Sequence, residues 1–77
     1  MSAEFNKKLG LVLRERREEK GFSLEYVANV LGVTKTHVSY WEKGKRSMYA
    51  EQLRSYCLLL GMSMQEVFDQ MDRRDVK

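Results

Sequence analysis

The sequence predicts an all-α domain of five short helices, and three observations carry that reading. Apolar residues recur at three-to-four spacing, and no strand-type alternation of useful length appears. Four of the five glycines, Gly21, Gly32, Gly44 and Gly61, fall where a helical pattern stops. Proline is absent. With 77 residues, one small domain spanning 1–77 is the ceiling. Its core is expected over about 5–61, with a fifth helix over about 63–72 available for dimerisation and a charged tail, 73–77, that frays.

Helix 1 is expected over 3–20, with Phe5, Leu9, Val12, Leu13 and Arg16 or Arg17 at helical spacing and a mixed-sign polar face. Gly10 lies inside this pattern, where it permits close helix packing. Ser23 is a good N-cap for helix 2, over 24–31, with Leu24, Val27, Ala28 and Leu31 inward. Gly32 stops it, Val33 plugs the turn, and Thr34 caps helix 3 over 35–43. KGKRS forms a basic loop. Helix 4 starts at Ser47 or a neighbour, carries Leu53, Tyr56, Cys57 and Leu60 on one face, and ends at Gly61. Ser63 and Glu66 make a capping box for helix 5, whose apolar face is Met64, Val67, Phe68 and Met71.

Composition bounds the function. The net charge of +3 and pI near 9.2 are a mild basic bias, weak support alone for a polyanionic partner. The single cysteine, Cys57, excludes an intrachain disulfide and a cysteine-rich zinc site, and it reads as a small buried side chain. The amino terminus MSAEFNKKLG has charges where a signal peptide needs an apolar run, and no stretch approaches the ~20 apolar residues of a membrane span. A cytoplasmic, nucleoid-associated location without a membrane partner is the expectation. No cofactor is expected. No Ser/His/Asp set, phosphate loop or carboxylate pair points to an enzyme, and a lone histidine points away from a metal site.

The informative stretch is GVTKTHVSYWEKGKR, residues 32–46. Helix 3 has a narrow apolar stripe, Val38 and Trp41, and many hydrogen-bonding side chains outside it. Two short helices joined by a glycine-containing turn describe a helix–turn–helix. Ala28, Gly32, Val33, Val38 and Trp41 fill its small, turning and apolar positions. From Leu13 to Leu60, through LRERREEKGFSLEYVANVLGVTKTHVSYWEKGKR and LRSYCLLLG, the chain resembles the lambda-repressor-like (Cro/CI-type, XRE-like) helix–turn–helix DNA-binding family. The resemblance implies a compact five-helix domain with helix 3 in the major groove. Two departures stand out: Leu24 replaces the glutamine usual at the start of the first motif helix, and Met48 stands where a proline is usual after the basic loop.

The resemblance implies Lys35, Thr36 and Tyr40 as base-edge readers. Their chemistry agrees, since lysine donates to guanine and threonine can pack its methyl on thymine. His37, beside them, suits a base or a phosphate. Ser39, Lys43, Lys45 and Arg46 are phosphate candidates at and after the second half of helix 3. Asn29 joins them from helix 2, as does the backbone N–H of Leu24. Arg17 and Glu42 match positions that form a structural ion pair in the family. Met62, Met64, Val67, Phe68 and Met71 are dimer-interface candidates, because methionine-rich apolar surface suits an adaptable interface and paired recognition helices one turn apart bind an operator more tightly; the alternative is that they cover helices 1 and 4 in the monomer's own core. The expected partner is thus double-stranded DNA, a palindromic operator bound by a homodimeric repressor of the phage, mobile-element or restriction-controller kind, with a protein antirepressor or inducer as a further partner. The chain ends at Lys77, which suits a stand-alone regulator. The competing reading is a protein-interaction adaptor or antirepressor of the same fold, and Leu24 is the feature that favours it.

Overall fold

The computed structural model describes residues 2–74. These form α1 (Ala3–Glu19), α2 (Leu24–Leu31), α3 (Lys35–Glu42), α4 (Ala50–Leu60) and α5 (Met64–Asp72), with no strand among the described residues. Short polar side chains begin most helices. Ser2 Oγ accepts the Phe5 N–H at 3.1 Å, Ser23 Oγ that of Tyr26 at 3.0 Å, and Thr34 Oγ1 that of His37 at 3.2 Å. Ser63 and Glu66 form the expected reciprocal box, at 3.1 and 3.3 Å. Gly32 ends α2 in the left-handed region (φ 71°), which brings the Val33 N–H to the Ala28 carbonyl at 3.0 Å and turns the chain into α3.

Helix α4 begins three residues later than Ser47. Asn6 Nδ2 donates to Ser47 Oγ at 2.9 Å, so that hydroxyl ties the loop to α1. Residues 47–49 lie outside any helix, Met48 enters the core, and Tyr49, with an extended backbone, has its N–H taken by Gln52 Oε1 at 2.9 Å. The charged tail also differs from expectation at its start. Arg73 closes α5, and the Arg74 guanidinium pairs with both oxygens of Glu15 on α1. The expected fraying of 75–77 lies outside the described residues.

Helix α1 is the spine. It packs on α3, α4 and α5, while α2 packs on α3 and α4. The core takes Leu9, Val12 and Leu13 from α1, Val27 and Ala28 from α2, Val38 and Trp41 from α3, and Leu53, Tyr56, Cys57 and Leu60 from α4. Leu24, Leu31 and Val33 are half-buried against it. Met62, Val67 and Met71 are also buried here, so three of the five dimer candidates pack in the chain's own core. Their docking follows from α5 lying across α1, with the Phe68 and Phe5 rings 6.3 Å apart. Of that set, Phe68 stays exposed and Met64 half-buried.

Where α1 meets the end of α3, the backbones nearly touch. A Cβ on Gly10 would sit 2.6 Å from the Trp41 carbonyl oxygen, so only glycine permits this approach. Among the described residues no helix is long and apolar enough to cross a membrane.

Candidate nucleic-acid interface

Helix α3 is held by one edge. Val38, Trp41 and Glu42 are buried, while Lys35, Thr36 and Tyr40 are exposed together on the opposite side. His37 and Ser39 lie between these extremes and are half-buried, so the outward face is narrower than the sequence implied. No acidic residue stands in the first turn of α3, which leaves its positive dipole end uncompensated.

Two flanks extend this face. On one side, Ser23, Leu24, Glu25, Tyr26, Asn29 and Lys35 line an open cleft between the starts of α2 and α3. Asn29 is exposed there. The Leu24 side chain leans on the core, and its N–H occupies the first position of α2, where the helix itself supplies no acceptor. Glu25 brings a carboxylate to the same cleft. On the other side, α3 runs into the basic loop. Lys43, Lys45 and Arg46 are exposed there, and none has a carboxylate partner among the described residues. Lys45 Nζ lies 5.9 Å from the centre of the Tyr40 ring, which joins the loop to the exposed face.

A buried polar clamp fixes α3 against the rest of the fold. Arg17 Nε donates to Glu42 Oε2 at 2.7 Å and Nη2 to Oε1 at 3.0 Å, the two-pronged geometry expected for this ion pair. The third arm, Nη1, donates to the Phe22 carbonyl at 2.8 Å. The structure adds a member: the Tyr56 hydroxyl donates to Glu42 Oε2 at 2.5 Å. The hydrogen bond to Glu42 raises the Arg17 pKa above its usual value despite burial. Burial first, then the bond to Glu42, pushes the Tyr56 phenol above its ordinary 10.0. Tyr56 is missing from the sequence-based site because it sits on an apolar stripe. The signal was its hydroxyl, which a fully buried position obliges to find a partner.

The remaining polar neighbours are local. The Thr34 Oγ1 that caps α3 also meets His37 Nδ1 at 3.0 Å, and the His37 ring lies 6.2 Å from Trp41. Cys57 is buried with its Sγ 3.7 Å from Met64 Sδ, and burial pushes its thiol pKa up. Among the described residues no group of three His, Cys, Asp or Glu side chains could hold a metal ion.

Comparison with known proteins supplies the context for this geometry. Residues 8–70 match the family model described as a helix–turn–helix domain. A crystal structure of the clp gene regulator ClgR from Corynebacterium glutamicum is similar, with a TM-score of 0.84 and 31% identity, over 88% of this chain and 72% of that one. The restriction-modification controller protein C.AhdI from Aeromonas hydrophila is similar at a TM-score of 0.75 and 31% identity, over 80% of this chain and 94% of that one. The controller C.Esp1396I, solved as a tetramer in complex with its natural 35 base-pair operator, shares the fold at a TM-score of 0.74 and 24% identity, over 87% of this chain and 88% of that one. No curated protein sequence is similar enough to match.

Proposed function

Because the chain belongs to the XRE-like helix–turn–helix family of non-enzymatic, DNA-binding transcriptional regulators, we propose that it represses from an inverted-repeat operator as a homodimer. The observation that carries the proposal is the exposed face of α3, where Lys35, Thr36 and Tyr40 stand free beside a loop whose three cations have no carboxylate partner among the described residues. In this reading α3 enters the major groove and those three side chains meet base edges. Lys35 donates to guanine, the Thr36 methyl or hydroxyl meets thymine or its neighbour, and Tyr40 offers a ring edge and a hydroxyl.

Ser39, Lys43, Lys45 and Arg46 hold phosphates beyond the groove, and Asn29 with the Leu24 N–H holds one on the other flank. The Leu24 side chain braces no base reader, so readout falls to α3. Arg17 and Glu42 set the pose of α3 and touch no DNA. The homodimer forms through what α5 and α4 leave outside. Phe68 is 38% exposed and Leu58 is 69% exposed, with Met64 half-buried.

Selection from a random duplex library, followed by titration of the winner at several salt concentrations, tests this. The expected result is an inverted repeat with half-sites about one helical turn, ~34 Å, apart. Each phosphate-contacting cation removed, beginning with Lys45→Ala, should make the log–log salt slope shallower by about one. Lys35→Ala or Tyr40→Ala should relax the half-site preference. A library that returns no enriched sequence refutes the proposal and favours the adaptor reading.

A further inference from the structure

Lys45 and Arg46 sit on a short arch, and both of its ends rest on α1. At one end the Gly44 backbone lies against Lys7. Gly44 takes the left-handed conformation (φ 73°), and a Cβ added there would stand 2.8 Å from Lys7 Cα and N. At the other end Asn6 Nδ2 donates to Ser47 Oγ at 2.9 Å.

The two ends are held differently. The first is also tied to α3, where the Gly44 and Lys45 N–H groups donate to the Trp41 and Tyr40 carbonyls at 3.2 and 2.9 Å. Beyond it, Arg46, Ser47 and Met48 make no backbone hydrogen bond among the described residues. The Met48 side chain is buried in the core, a contact that keeps the chain close but carries no direction. The Asn6–Ser47 bond is thus the directional restraint on the far end of the arch.

Asn6 returns little to the fold. It is 9% exposed, and its Oδ1 is buried with no hydrogen-bond partner among the described residues. Burying an amide with one polar atom unpaired costs free energy that a leucine of similar size does not. Ser47 is exposed, so solvent serves its hydroxyl once Asn6 is gone. Asn6 and Lys7 also precede residues 8–70, the span that matches the family model, so the helix–turn–helix pattern does not account for them.

We propose that Asn6 is a positioning residue for DNA binding: through Ser47 it sets the arch so that Lys45 and Arg46 meet the phosphates assigned to them above. The inference rests on the DNA-binding reading and deepens it. Asn6 acts from behind the interface and leaves base preference alone.

The test uses Asn6→Leu, Ser47→Ala and the double variant, each titrated against the selected operator at several salt concentrations and unfolded in urea. Asn6→Leu should be at least as stable as the parent. It should bind about tenfold more weakly, with a log–log salt slope shallower by about one and the same base preference. Ser47→Ala, a change at an exposed position, keeps the fold and should reproduce both the weakening and the slope change. A serine that only hydrogen-bonded a phosphate would weaken binding without the slope change, because it neutralises no charge. The double variant should bind no more weakly than either single one. Parent-like affinity or an unchanged slope in either single variant, an altered base preference, or losses that add in the double variant would each overturn the inference. If leucine does not fit at position 6, Ser47→Ala decides alone, by the same slope. A parent chain that selects no operator sinks the DNA-binding reading instead, so the two failures are distinguishable.

Discussion

Replacing Glu42 by alanine should cost this domain a large part of its stability, and the size follows from what the carboxylate serves. Glu42 is 6% exposed and faces Arg17 at 8% and Tyr56 at 0%. Its removal strands a buried guanidinium that keeps only the Phe22 carbonyl as partner, and it also strands a buried hydroxyl. Breaking a buried ion pair from one side costs about 3–5 kcal/mol, because the orphaned charge stays desolvated. A domain of this size is stable by roughly 5–15 kcal/mol, so the variant should be marginal, with a melting temperature lower by more than ~10 °C. Tyr56→Phe removes one hydrogen bond to a charged acceptor at nearly constant volume, and should cost about 1.5–3 kcal/mol. Urea titration followed through the single tryptophan, Trp41, which is itself in the core, measures both. The pairing of the charges has a signature of its own. Arg17→Met combined with Glu42→Ala should be more stable than Glu42→Ala alone, since the unpaired charge goes with the arginine. If Glu42→Ala lost less than about 1 kcal/mol, the clamp would behave as a surface ion pair and the reasoning would be refuted.

Three further outcomes are expected. Gly10→Ala, a change that stabilises most helix interiors, should here destabilise by about 1–3 kcal/mol, because its Cβ meets the Trp41 carbonyl at 2.6 Å; a higher melting temperature would contradict the close approach. The raised Tyr56 pKa contributes stability that is complete below the unfolded value of 10.0 and is lost as pH climbs above it, since the unfolded phenol ionises first; unfolding free energies across that range should fall more steeply for the parent than for Tyr56→Phe. Leu58→Asp with Phe68→Asp should leave the fold intact and convert the proposed dimer to monomer in sedimentation, while a persisting dimer would move the interface elsewhere.

What could be read in advance was what local chemistry decides. The caps at Ser23, Thr34 and Ser63 and the turn at Gly32 set three helix starts and one stop where the sequence places them. The narrow stripe of Val38 and Trp41 gave the orientation of α3, because two large apolar residues three apart leave the other face to solvent. What escaped was set by partners distant in sequence. Ser47 looks like a cap until Asn6, 41 residues away, takes its hydroxyl. Tyr56 looks aliphatic until Glu42 arrives from another helix. The methionines of 62–71 divide into buried and half-buried according to how α5 lies on α1, an angle no periodicity encodes. Arg74 reads as tail until Glu15 meets it from α1.

The way α3 is fastened has a consequence for how such a chain diversifies. The buried side chains of α3 are Val38, Trp41 and Glu42, and these share no position with Lys35, Thr36 and Tyr40 on the exposed side. Substitutions at exposed positions away from caps and networks shift stability by only about half a kcal/mol either way. The exposed trio can therefore be rewritten while the scaffold beneath it stays the same. With those three as the base readers proposed above, two copies arising by gene duplication could part in target preference through three codons, with neither passing through an unfolded ancestor.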